Sequence, residues 1–169
     1  MNAGVQSGRR ELQEIPYSNF LQPDGSSEFI LESSFVAAVP MKILIADDKL
    51  QVRRVLRGLI EGHQDWDVCA EAEDGIQAVD RAERFRPDVI ILDLAMPKLN
   101  GFEAAARISE LLPDVPILLF TLYASPQVEM QAARVGVQRV ISKATGYQLV
   151  PAIEEAFAQV HHAKTALQP

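Results

Sequence analysis

From Met41 onward the chain alternates short apolar runs with helix-length amphipathic stretches, and this alternation limits the folds open to it more than any other feature. Five runs stand out: "KILIA" (42–46), "DVCAEA" (67–72), "DVIILDL" (88–94), "VPILLFT" (115–121) and "RVISK" (139–143). Gly, Pro and Asp bound them, as is usual for strands. Between them apolar residues recur three or four positions apart: Val52, Val55, Leu56 and Leu59; Ile76, Val79 and Ala82; Phe102, Ala105, Ile108 and Leu111; Val128, Ala132 and Val135. That is the helical period. A fifth helical stretch, with Leu149, Ile153, Phe157 and Val160, closes the pattern. Strands that alternate with helices pair in parallel through right-handed crossovers, and nearly continuous apolar strands need cover on both faces. The expected fold is a three-layer α/β sandwich over residues 41–163, with 164–169 as a short tail.

Residues 1–40 have no such period. They carry turn signals such as "PDGSS" and scattered aromatics, and are read as a disordered extension. Met41 opens the periodic region so sharply that it is a candidate start of translation. A hydrophobic share of 48% with 23% charged residues is that of an ordinary globular protein. The net charge of −7 argues against general affinity for nucleic acid or anionic lipid, since no basic stripe offsets it. A single cysteine, Cys69, leaves no intramolecular disulfide and fits a reducing compartment. No apolar run approaches the roughly 20 residues that span a bilayer. Arg9 and Arg10 precede a polar stretch rather than a signal-peptide core, so a cytoplasmic location is expected.

In sheets of this kind, ligands gather beyond the carboxyl ends of the strands, where strand order reverses. The first run ends in Asp47 and Asp48, the third in Asp93, the fourth in Thr121 and the fifth in Lys143. The second offers only Glu71, Glu73 and a helix-capping Asp74–Gly75 pair. Three carboxylates together raise one another's pKa values unless a cation sits among them. Mg²⁺ is the economical choice, because it takes oxygen ligands and commonly joins a few carboxylates to a phosphate. Asp93 could then attack phosphorus to form an acyl phosphate, with Lys143 and Thr121 neutralising and hydrogen-bonding the phosphoryl oxygens.

Each residue also has a plainer reading. Asp47 and Asp48 could be helix caps, Asp93 a turn former, Thr121 a strand former and Lys143 a solvated surface residue. His161 and His162 are adjacent on a helix and point apart, so they read as a solvated tail. Arg53, Arg54 and Arg57 read as a solvated helix face or a partner contact.

"ILIADDK", "DVIILDLAMPKLNGFE", "PILLFT" and "VISK" together resemble, in order and spacing, the receiver domain of two-component response regulators. The resemblance covers about residues 41–163. It implies a (βα)5 doubly wound, flavodoxin-like fold with a five-stranded parallel sheet in the order 2-1-3-4-5. It also implies that Asp93 accepts a phosphoryl group from a sensor histidine kinase or a phosphotransfer protein. Asp48 and Asp93 would ligate Mg²⁺ directly with the backbone carbonyl of Ala95, and Asp47 would act mainly through water. Thr121 would swing toward the phosphate and Lys143 would pair with it. The change would be read by a downstream protein, or by a second copy in a homodimer, on the surface of the fourth helix, fifth strand and fifth helix. No catalysis is implied beyond the protein's own phosphorylation and dephosphorylation.

The sequence departs from the family pattern in places. Val140 stands where an aromatic residue is usual, Ala144 replaces a cis proline after the lysine, and Ala95 and Tyr123 occupy positions that influence water access. A β-branched residue has little χ1 freedom, so output coupling through Val140 is expected to be altered, with Tyr123 and Tyr147 as candidate substitutes. No output domain is evident after the last helix, so a single-domain switch is expected. The alternatives are a receiver-shaped interaction module that works without phosphate, and a small-molecule phosphatase using the same chemistry.

Overall fold

The structure, a computed structural model, describes the backbone of residues 39–166 and the side chains as far as residue 159. The expectations for residues 1–38, Val160, His161, His162 and the last residues of the tail lie outside that description. The elements run β1 (Met41–Ala46), α1 (Leu50–Glu61), β2 (Trp66–Ala72), α2 (Gly75–Phe85), β3 (Val89–Leu92), α3 (Gly101–Leu111), β4 (Ile117–Thr121), α4 (Pro126–Arg134) and β5 (Val137–Ser142). A 3-10 segment, Lys143–Gln148, leads into α5 (Leu149–Ala166). The strands form one parallel sheet in the order β2-β1-β3-β4-β5. Architecture and strand order are those expected, and every boundary moves by only a few residues. The third strand is the most shortened, ending at Leu92 so that Asp93 falls just beyond it.

Alternation along the strands divides the core in two, because successive side chains point to opposite faces. Leu44, Ile90, Leu92, Ile117 and Leu119 face α2, α3 and α4, where Ala78, Ala82, Ala104, Ala105, Ile108 and Ala132 receive them. Ile43, Ile45, Val89, Ile91, Leu118 and Phe120 face Leu56 and Ile60 of α1 and Leu149, Ala152, Ile153 and Ala156 of α5. The central strands β1, β3 and β4 are buried nearly throughout. The edge strands β2 and β5 are not, since each has one open side.

Four residues assigned to core faces by their spacing lie outside the core. Val55 is 71% exposed and Ile76 52%, while Leu59 and Leu111 are also open to solvent. Ile60 and Ala78 take the buried positions instead, because the helices pack on the sheet through a narrower stripe than the period indicates.

Helix starts follow local chemistry. Asp74 caps α2 by accepting from the Gln77 N–H at 2.8 Å, and Asn100 with Glu103 forms a capping box on α3. Ser125 caps α4 with Pro126 in its first turn. No helix among the described residues is long and apolar enough to cross a membrane.

Candidate functional site

Parallel register brings the first acids together. Ala46 of β1 is opposite Leu92 of β3, so the next residues, Asp47 and Asp93, leave the sheet side by side. The Asp93 N–H donates to the Ala46 carbonyl at 2.8 Å, and the Asp47 N–H to the Ala72 carbonyl at 3.0 Å, which carries the pairing one step past each strand end. Carboxylate oxygens of Asp47, Asp48 and Asp93 all lie within 4.8 Å of one another. Asp47 and Asp93 are buried, at 1% and 4% exposure, whereas Asp48 stands at the rim.

Lys143 reaches this cluster from just beyond the end of the edge strand β5. Its Nζ is 2.6 Å from Asp47 Oδ2 and 2.9 Å from Asp93 Oδ1, bridging two carboxylates that would otherwise repel each other. Burial opposes its charge, but the hydrogen bonds to the two carboxylates prevail and raise its pKa. Asp47 moves upward from the ordinary carboxylate range. Burial is the largest cause, partly offset by the hydrogen bond from Lys143, and the charge of Asp93 adds to it. The plain reading of Lys143 as a solvated lysine is thereby excluded.

Neither Asp47 nor Asp48 is the cap of α1. That position belongs to Lys49, which offers no capping side chain. Asp47 Oδ1 accepts from the Lys49 N–H at 2.9 Å, an Asx-type turn that aims its other oxygen at Lys143. Asp48 pairs with the Lys49 ammonium at 2.6 Å, at the open rim of the site. Asp93 Oδ2 accepts from the Ala95 N–H at 3.1 Å, so this carboxylate is held by its own turn as well as by Lys143.

Thr121, fully buried at the end of β4, uses its hydroxyl oxygen to accept from the Tyr123 N–H at 3.2 Å rather than reaching a carboxylate. Val140 is half-buried and packs against the core, while Tyr123 and Tyr147 are exposed on the surface. The described residues have no cis peptide bond, so the chain passes Ala144 in the trans form.

One residue is placed quite differently from its reading as a solvated face. Arg53 is only 11% exposed. Its Nη1 donates to the Asp47 backbone carbonyl at 2.8 Å and its Nε to Glu71 Oε2 at 3.0 Å. Arg57 meets the same Glu71 from one turn further along at 2.7 Å, and Glu71's pKa ends up lowered, because the hydrogen bonds from both arginines outweigh its burial. A helical-wheel reading sees only charge at these positions; the pairing needs the neighbouring strand.

The loop after Asp93 is also fastened. Lys98 adopts a positive φ of 64° and places its ammonium 2.6 Å from the buried Asp74. A Cβ on Gly75 would lie 2.0 Å from the Leu99 carbonyl oxygen, so only glycine lets the start of α2 touch this loop.

A doubly wound parallel sheet with acids from two strands and a lysine from a third at its carboxyl edge defines the CheY-like, flavodoxin-type class. Within that class, residues 43–154 match the family model described as the response regulator receiver domain. The response regulator domain of Thermotoga maritima CheB superposes with a TM-score of 0.64 at 29% identity, covering 77% of this chain and 99% of that one. The Bacillus subtilis transcriptional regulatory protein YdfI is 38% identical over 104 residues, 62% of this chain and 48% of its own length. Protein-glutamate methylesterase/protein-glutamine glutaminase 4 of Myxococcus xanthus is 35% identical over 108 residues, 63% of this chain but 31% of that protein. The chain thus belongs to the response regulator receiver domain family. It spans about half or less of the length of these two curated relatives, whose names describe different activities.

Proposed function

We propose that Asp93 accepts a phosphoryl group from a sensor histidine kinase or a phosphotransfer protein, and that the receiver signals through the resulting change in shape. The observation that carries this reading is the bridge of Lys143 across Asp47 and Asp93 beside a third carboxylate, Asp48. A buried lysine that neutralises two acids is costly to assemble and stands where phosphoryl charge would arrive.

In the proposed step an Asp93 oxygen forms a bond to phosphorus as the P–N bond of phosphohistidine breaks. The electron pair returns to the imidazole, which takes up a proton, and an acyl phosphate remains on Asp93. Lys143 supplies positive charge to the phosphoryl oxygens. The Thr121 hydroxyl, which accepts one hydrogen bond, keeps its own O–H to donate to another of those oxygens.

The three clustered carboxylates are the hard oxygen donors that suit Mg²⁺. Asp48 and Asp93 would hold it directly with the Ala95 carbonyl, and Asp47 through water. When bound, the metal would neutralise charge on the transferring group. The downstream target is a protein, reached through the α4, β5 and α5 surface, which could also support a homodimer. A cytoplasmic location belongs to the same reading.

Val140 favours a second reading, a receiver-shaped interaction module that works without phosphate, since it lacks the lever of an aromatic side chain. One experiment separates the two. The purified protein and its Asp93→Asn variant are incubated with acetyl phosphate, with and without Mg²⁺, and weighed intact. Mg²⁺-dependent gain of one phosphoryl group, absent from the variant, is expected. A folded protein that binds Mg²⁺ but gains nothing would leave the interaction module as the surviving reading.

A further inference from the structure

We infer that Arg53 is a positioning residue that sets the angle between the two adjacent acids of the site. This rests on the proposed Mg²⁺-binding role of those acids. The carbonyl it grips, that of Asp47, belongs to the peptide unit that joins Asp47 to Asp48. A peptide is planar, so fixing its oxygen and the chain on either side fixes how the two Cα atoms present their carboxylates.

The other groups nearby are already held. The Asp47 N–H is bound to Ala72, and Asp47 Oδ1 is bound to the Lys49 N–H. The Asp47 carbonyl is held in turn by Arg53. Helical side chains lean toward the helix start, which brings a residue in the first turn of α1 back over the end of β1. Glu71 of β2 then holds the guanidinium through its Nε, and the rigid fork meets two acceptors at once. The two arginines differ in their second partner, which for Arg57 is Glu61 on its own helix. Both bind Glu71, but only Arg53 reaches the peptide between the acids.

This difference makes the inference testable with a sign. Arg53 is a cation near a cation site, so charge alone requires that its removal tighten Mg²⁺ binding. Positioning requires the reverse, as loss of an outer-shell group that orients ligands commonly weakens metal binding about 10- to 100-fold.

Mg²⁺ affinity of the full chain is measured by titration calorimetry for the wild type, Arg53→Gln, Arg53→Lys and Arg57→Gln, with urea unfolding of each. Arg53→Gln is expected to bind about tenfold more weakly. Arg57→Gln is expected to stay within about twofold of the wild type while losing comparable stability through the shared Glu71 contact. Arg53→Lys, which keeps the charge but reaches one acceptor, should recover only part of the affinity, and it carries the test if Arg53→Gln does not fold. Unchanged or tighter binding in Arg53→Gln, equal weakening in Arg57→Gln, or full recovery by lysine would each overturn the inference. A wild type that binds no Mg²⁺ would instead overturn the metal-site reading, and the inference with it.

Discussion

Replacing Gly101 by alanine would put a methyl group into space already filled by the chain that carries Asp93. A Cβ there would lie 2.3 Å from the Asp93 carbonyl oxygen and 2.8 Å from the Leu94 Cα, where ordinary contact begins near 3.4 Å. The shortfall is about 1 Å, the difference between 3.4 and 2.3, and it is against backbone, so no rotamer change can absorb it. Either α3 retreats from β3 or the Asp93 loop moves. Overpacking of this kind costs about 1–3 kcal/mol, of which alanine's better helix propensity returns at most about 1 kcal/mol. A reacting group displaced by about 1 Å commonly loses on the order of a hundredfold in rate. Gly101→Ala should therefore unfold at lower urea concentration and take phosphate from acetyl phosphate about a hundredfold more slowly, followed by intact mass against time. Gly58→Ala is the matched control, since nothing lies within 4 Å of its Cβ on α1, and it should be slightly more stable with an unchanged rate. Native stability and rate in Gly101→Ala would refute the claim that this helix start holds Asp93 in place.

Lys143→Ala should lower stability by on the order of 3 kcal/mol without metal, because it leaves two buried carboxylates unpaired, and added Mg²⁺ should restore part of this in thermal unfolding. Saturating Mg²⁺ at about a hundred times its Kd should stabilise the wild type by about 2.7 kcal/mol, and Asp48→Asn should lose most of that gain. Asp74 is held below the usual carboxylate range, chiefly by its hydrogen bond from Lys98. Its contribution to stability is therefore present above the unfolded value near pH 4 and lost as pH falls through the lower folded value. Urea unfolding at pH 7 and pH 3 should show a smaller drop for Asp74→Asn than for the wild type.

The acids and the lysine were legible in the sequence because parallel strands all deliver their last residues to one edge, so a run-by-run reading places Asp47, Asp48, Asp93 and Lys143 together without any contact being known. Arg53 was not, since helical periodicity sorts apolar from polar and treats a charged position as solvated; its partner Glu71 comes from a strand 18 residues away. Val55 and Ile76 failed for a related reason. Period fixes a face, but how wide a stripe is covered depends on the packing: only Leu56 and Ile60 of α1 are fully buried on their face of the sheet, and on the other face alanines at 78 and 82 let α2 sit close. Nor does the sequence show that Lys98 turns left-handed to reach Asp74, because that needs two loops from different crossovers to meet.

The contrast between central and edge strands has a consequence for how the protein behaves in a crowded solution. β1, β3 and β4 are almost wholly apolar and would pair readily with any passing strand if they were uncovered. The two strands that close the sheet are built otherwise: β2 exposes Asp67, and β5 exposes Gln138 and Arg139, with Arg139 tied to Glu155. A foreign strand approaching either border meets side chains that keep their water more favourably than they would give it up, which works against further strands joining the sheet there.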